Sequence, residues 1–213
     1  MRRLPIYLLL DTSGSMSGEP IEAVKNGLQV MHSALRKEPQ AVEMAYLSII
    51  TFDTSAKQLL PLTELSSFKP PAISASGGTS LGGALDLVVK CAEKEVVKNT
   101  PDAKGDYKPL VFLMTDGYPT DNVQTYIPSF KNFKWGVVVA CAAGNGADTK
   151  LLQQIAGENV IKLDTCDSKS IAAYFKYVSS SIVVSSKRVD AGGDVSSISE
   201  LPPPPPEISL VKI

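Results

Sequence analysis

Three short stretches of this chain are dense in oxygen donors: Asp11-Thr12-Ser13-Gly14-Ser15, Gly77-Gly78-Thr79-Ser80 and Thr115-Asp116-Gly117. Carboxylates and hydroxyls, with no thiol or imidazole among them, suit a hard cation. Mg²⁺ is the first candidate, because it takes oxygen ligands in near-octahedral geometry at ~2.1 Å and retains some of its waters. Each stretch also has a plainer use. Asp11, Ser15 or Thr79 alone could cap a helix, and Asp116-Gly117 alone is an ordinary turn. The combination carries the information, because each stretch borders an element that can deliver it to the others.

Other chemistries find less support. The single histidine, His32, lies beside the apolar face of the first predicted helix and offers no spare position for a Ser-His-Asp triad. Cys91, Cys141 and Cys166 are odd in number and lack CxxC spacing, so neither a disulfide framework nor a zinc site follows. They read as small buried hydrophobes in a reducing compartment. Gly77 to Gly83 lacks the Gly-Lys-Ser/Thr end of a phosphate-binding loop. Gly144-Asn145-Gly146 lacks the third glycine of a dinucleotide fingerprint and follows the wrong strand. An aspartate ending a first strand also begins the haloacid-dehalogenase motif of Mg²⁺-dependent phosphohydrolases. That chemistry needs a second carboxylate two residues on as acid and base, and the position holds Ser13. No residue is assigned a catalytic role.

The elements that must position the donors are legible as patterns. Leu4 to Leu10 is an unbroken apolar run, the mark of a strand covered on both faces. Ile21, Val24, Leu28, Met31 and Leu35 recur at helical spacing, with Pro20 in the first turn and Pro39 closing the region. Met44 to Phe52 predicts a central strand and Lys57 to Leu62 an edge strand. The short link Asp53 to Ala56 forces these two into a hairpin, since a parallel crossover needs about a dozen residues or more. Leu81, Leu85, Val88, Ala92 and Val96 mark a second helix. Leu110 to Met114, Trp135 to Ala142 and Val160 to Leu163 read as further strands. Helices through Ile155, capped by Asp148, and through Ile182, capped by Asp167 or Ser168, complete the alternation. Strands alternating with helices predict a doubly wound α/β sheet with helices on both faces.

Asp-x-Ser-x-Ser after the first strand, a Thr in a Gly-Gly-Thr loop and Thr-Asp-Gly after a later strand together resemble the metal-ion-dependent adhesion site of von Willebrand factor A domains. The resemblance spans roughly residues 1–185. It implies a mostly parallel six-stranded sheet of order 3-2-1-4-5-6 with strand 3 antiparallel. It implies a metal held by Asp11, Ser13, Ser15, Thr79 and Asp116: hydroxyls of Ser13, Ser15 and Thr79 bind directly, and the two aspartates bind directly or through water. Mg²⁺ is the expected ion, with Mn²⁺ or Ca²⁺ as substitutes, and a protein partner's acidic side chain would fill an open position. Asp53 reads as a turn residue or an outer hydrogen-bond acceptor, and Thr120 and Asp121 as rim residues. The opening Met-Arg-Arg-Leu-Pro-Ile-Tyr and the run Thr-Asp-Gly-Tyr-Pro-Thr-Asp most resemble TerY-type proteins of bacterial tellurium-resistance clusters. That likeness implies an adaptor in a stress or tellurite response, with a Ser/Thr kinase and a phosphatase as partners. The alternatives are a Mg²⁺-dependent phosphohydrolase and an assembly subunit with a vestigial metal site.

The bulk numbers set limits. A net charge of −1 over 213 residues gives no basic surface of the kind that nucleic acid requires. No run approaches the ~20 apolar residues of a membrane span, and Asp11 interrupts the only signal-like opening. A cytoplasmic location is the expectation. The domain is expected over 1–186, followed by a Gly/Ser/Pro-rich tail over 187–213. Pro202 to Pro206 should form a stiff polyproline II spacer. The apolar Ile208 to Ile213 then belongs to a disordered tail, a docking segment, or a strand added to a sheet edge.

Overall fold

The computed structural model describes residues 2–211; Met1 of the opening motif and Lys212 and Ile213 of the apolar C-terminal segment lie outside the described residues. The first strand, β1 (Leu4–Asp11), is buried along its whole length. Successive side chains of a strand point to opposite faces. Accordingly Leu4, Ile6, Leu8 and Leu10 enter one apolar core, and Tyr7 and Leu9 enter a second. Over the first face lie α1 (Glu19–Leu35), α2 (Pro39–Met44) and α6 (Ser168–Asp190). Over the second lie α3 (Leu81–Glu95), α4 (Ile127–Asn132) and α5 (Thr149–Ala156).

The remaining strands are β2 (Ala45–Phe52), β3 (Ala56–Glu64), β4 (Leu110–Thr115), β5 (Val138–Ala143), β6 (Val160–Leu163) and β7 (Ile208–Leu210). They form one sheet of order β3-β2-β1-β4-β5-β6-β7. β1, β2, β4, β5 and β6 are mutually parallel, and β3 is antiparallel to β2. The expected order and the reversed third strand are therefore present. Leu10 pairs with Met114, which sets Asp11 level with Thr115 where β1 and β4 end together. Chain order reverses between these strands, opening the crevice at which α/β sheets bind ligands.

Two local features depart from the pattern reading. Pro39 does not only end the first helical region; it also opens the short helix α2 from its first turn, where the missing N–H costs nothing. The fifth strand begins at Val138, not Trp135. Trp135 instead packs against Phe133 and Phe130, and Gly136 N–H is drawn to Pro109 C=O at 2.8 Å. One glycine is dictated by packing: a Cβ on Gly27 of α1 would lie 2.2 Å from the Phe175 ring of α6, so only a bare backbone lets the two helices approach.

Among the described residues the sheet has seven strands rather than six. β6 is not an edge, because Ile208–Leu210 runs antiparallel to it and uses the backbone groups an edge would leave unpaired. The chain between α6 and β7 packs back on the domain. Val195, Leu201 and Ile208 are buried, Lys108 pairs with Asp194 at 2.8 Å, and Arg188 pairs with Glu200 at 2.7 Å. Ser197 and Glu200 form a reciprocal capping box. The C-terminal segment is thus part of the folded body. Burying each such apolar side chain is worth about 1.5–3 kcal/mol at most, and about 1 kcal/mol moves the midpoint of a domain this size by ~2–4 °C. Deleting residues 191–213 should lower the melting temperature by roughly 5 °C or more; an unchanged midpoint in calorimetry would show that the segment adds nothing to the fold.

Candidate metal centre

All five oxygen-bearing residues singled out in the sequence come to the carboxyl ends of β1 and β4. Asp11 ends β1 and is fully buried. Its Oδ1 accepts from Ser13 N–H at 2.8 Å, and its Oδ2 accepts from Thr115 Oγ1 at 2.5 Å. Ser13 and Ser15 hydroxyls are 2.9 Å apart. Ser15 Oγ donates to Asp116 Oδ1 at 2.7 Å, bridging the loop after β1 to the loop after β4. The third loop arrives at the same point. A Cβ placed on Gly117 would lie 3.7 Å from Ser15 Oγ and 3.9 Å from Thr79 Oγ1, so the two hydroxyls flank one small space.

The electrostatics of this cluster are unbalanced. Burial raises the Asp11 carboxyl above its ordinary value, partly offset by the donors Ser13 and Thr115, with the nearby Asp116 charge raising it further. Burial likewise raises Asp116, offset by the Ser15 hydroxyl. Among the described residues neither aspartate takes part in an ion pair. Asp11 is thus withdrawn from water and Asp116 half-withdrawn, with no basic side chain paired to either among the described residues, an arrangement that is costly unless something positive is supplied. Thr79 is buried at the same point, and its hydroxyl makes no hydrogen bond to protein among the described residues. The described residues hold no group of three His, Cys, Asp or Glu suited to a metal; the other oxygens here are hydroxyls. An all-oxygen donor set with uncompensated negative charge and one unused hydroxyl fits a hard divalent cation.

The loops are fixed to one another by bonds the sequence does not advertise. Gly14 N–H donates to Gly77 C=O at 3.0 Å, and Ser76 N–H donates to Thr12 C=O at 2.9 Å. Gly77 itself has φ +71°, a conformation that favours glycine. Thr120 is more than a rim residue. Its Oγ1 accepts from Thr79 N–H at 3.0 Å and its N–H donates to Thr79 C=O at 2.9 Å, clamping the backbone of that threonine. Asp121 receives Ser80 Oγ at 3.0 Å, Gly82 N–H at 3.1 Å and Gly83 N–H at 2.8 Å, and so caps α3 from another loop. Asp53 is a turn residue: its carboxylate accepts from Ser55 N–H at 3.1 Å while its carbonyl holds Ser80 N–H at 2.7 Å. No local sequence signal gives Thr120 or Asp121 these roles, because a cap donated from 38 or more residues away leaves no pattern around the helix it closes. Cys91 and Cys141 are buried as expected; Cys166 is half-buried and its thiol is 4.0 Å from the Met16 sulfur, just behind the Ser15 loop.

The sequence pattern of the von Willebrand factor type A domain matches residues 6–173. The chain belongs to that family. Among curated proteins it is 32% identical over 123 residues to the uncharacterized protein sll0103 of Synechocystis, covering 54% of this chain and 26% of that one. It is also 32% identical over 136 residues to the E3 ubiquitin-protein ligase WAVH1 of Arabidopsis thaliana, covering 54% of this chain and 18% of that one. The chain therefore spans about a quarter or less of the length of these relatives. Solved structures with the same fold include a von Willebrand factor type A protein from Catenulispora acidiphila, at TM-score 0.65 and 17% identity, covering 86% of this chain and 43% of that one. Another is proximal thread matrix protein 1 of the mussel byssus with a zinc-occupied metal site, at TM-score 0.59 and 18% identity, covering 84% of this chain and 48% of that one. Among the described residues no helix is long and apolar enough to cross a membrane.

The raised Asp11 carboxyl gives a signed expectation. Its contribution to stability is present below the unfolded-state value of ~3.9 and is lost as pH rises through the higher folded value. In chelator at pH 7, Asp11→Asn should therefore melt higher than wild type, and the difference should shrink as pH falls. A variant that melts lower throughout would mean the charge is already compensated.

Proposed function

We propose that this chain is a metal-dependent protein-binding module. Ser13, Ser15 and Thr79 would hold a divalent cation through their hydroxyls, with Asp116 and Asp11 supplying negative charge. A cation held mainly by neutral hydroxyls keeps enough positive charge to attract an outside carboxylate at an open coordination position. Mg²⁺ is the proposed resident, with Mn²⁺ or Ca²⁺ able to replace it. The observation that carries this reading is the pair of carboxylates at the ends of β1 and β4, in no ion pair among the described residues, beside the hydroxyls of Ser13, Ser15 and Thr79 from two loops and of Thr115 at the end of β4. The exposed ring of Tyr118, two residues beyond Asp116, offers a partner an apolar contact beside the ion.

The phosphohydrolase alternative is weakened by Asp11 itself. A nucleophile must reach its substrate, whereas this carboxylate is fully buried with both oxygens engaged. The narrower setting, an adaptor in a cytoplasmic stress or tellurite response that recruits a Ser/Thr kinase and a phosphatase, rests on the TerY-like motifs alone. The zinc in the mussel protein's site is a reason to include Zn²⁺ among the ions tried.

Binding to the folded state alone adds RT ln(1 + [L]/Kd), about 2.7 kcal/mol at a hundredfold excess over Kd. Mg²⁺ should therefore raise the melting temperature of wild type by several degrees over chelator. Thr79→Ala should retain the fold and lose most of that rise; the variant removes a hydroxyl with no protein partner, so its chelator midpoint should scarcely move. Equal Mg²⁺ shifts in both proteins would place the ion elsewhere.

A further inference from the structure

The amino ends of the same strands carry a second surface. Two adjoining cavities of about 680 and 660 Å³ open there, between the end of α3, the entry to β4 and the end of α4, sharing Lys108, Phe133 and Lys134 as walls. Each has the volume of a site for a small molecule or a few peptide side chains. β1 has eight residues, so this groove is roughly 25 Å from the metal centre along the strand.

We propose that this groove docks a short acidic peptide segment anchored by a bulky apolar side chain. Its surface is apolar beneath and basic at the rim. Phe133 is half-exposed, and Val97 is 54% exposed, one of the few large apolar side chains left in water. Around them stand Lys98, Lys108, Lys131 and Lys134, all exposed. The acidic side chains in the lining are Glu93 and Asp106, and Asp106 is taken by Arg3 at 2.6 Å. Lys108 pairs with Asp194, both of them exposed; Lys98, Lys131 and Lys134 are in no ion pair among the described residues. A chain of net charge −1 has thus gathered unpaired lysines around an apolar trough. Charge of one sign beside exposed apolar area selects a partner of opposite charge with something apolar to bury.

Nucleic acid fits the lysines but not the aromatics. Trp135 already donates its indole N–H to Phe130 C=O at 2.8 Å, and its ring packs on Phe133 at 4.2 Å and Phe130 at 5.2 Å between centroids. The face that base stacking needs is engaged. The groove is independent of the metal centre, so a chain using both would join an acidic partner at each end of its sheet.

Trp135 is the single tryptophan of the chain and lines the groove, so its fluorescence reports this site alone. The test titrates full-length protein, in chelator, with the capped peptide Asp-Glu-Phe-Asp-Glu-Leu-Asp. Its lysine-substituted counterpart and a single-stranded thymidine oligonucleotide serve as competitors. The expected result is a saturable emission change that weakens with salt, falls at least tenfold in affinity in Lys98→Glu/Lys134→Glu, and is unaltered in Asp116→Ala. Circular dichroism confirms that the charge-reversal variant is folded. No saturable change, equal binding of the lysine peptide, or tighter binding of the oligonucleotide would each overturn the proposal.

Discussion

A carboxylate without access to water sits where two central strands end, and the rest of the site is built to tolerate it. Asp11 is held by a backbone N–H from its own loop and by the hydroxyl of Thr115 from the neighbouring strand. Those bonds exist because Leu10 and Met114 are in register and the two strands stop together. The parallel sheet therefore does more than support the site. Its register delivers Thr115 to Asp11 and, one residue later, Asp116 to Ser15. Moving β4 by one residue would exchange the faces of every side chain on it and separate both pairs.

The third loop is secured by a different device. Thr79 depends on no strand register; its backbone is clamped by Thr120 and the helix after it is capped by Asp121. The loop that carries Asp116 thus also positions Thr79, so a perturbation at either one should be felt at the other. Gly77, with its positive φ, lets the chain turn closely enough for Gly14 N–H to reach its carbonyl. The site is assembled from contacts at sequence separations of 40 residues or more: 104 for Thr115 to Asp11, 101 for Ser15 to Asp116 and 41 for Thr79 to Thr120. The first two of these contacts require β1 and β4 to be paired in register.

This explains what sequence could and could not reveal. Buried parallel strands read as apolar runs because both faces are covered, so β1 and β4 were visible as such. The hairpin of β2 and β3 followed from the length of its link alone. The five oxygen-bearing residues were visible because they sit in short local motifs, four of them at or just beyond the ends of β1 and β4 and Thr79 in the loop before α3. The roles of Thr120 and Asp121 were not, because each acts on a backbone far away in sequence and leaves no periodicity. β7 was legible only as one of three alternatives for the apolar segment after the proline run, because its pairing is decided by the open edge of β6 and not by its own residues. Pro39 and Trp135 show how one residue type serves two ends: a proline both stops a helix and starts the next, and an apolar aromatic preceding a strand can belong to the packing below it.

The proposed recognition runs through a cation at the ends of β1 and β4. Its most direct measurement is affinity capture from lysate of the source cells, using wild type and Asp11→Ala as baits, each in Mg²⁺ and in chelator. Recognition through the ion predicts a protein retained by wild type in Mg²⁺ and absent from the other three conditions. The same proteins retained under all four conditions would contradict it and move recognition away from the ion.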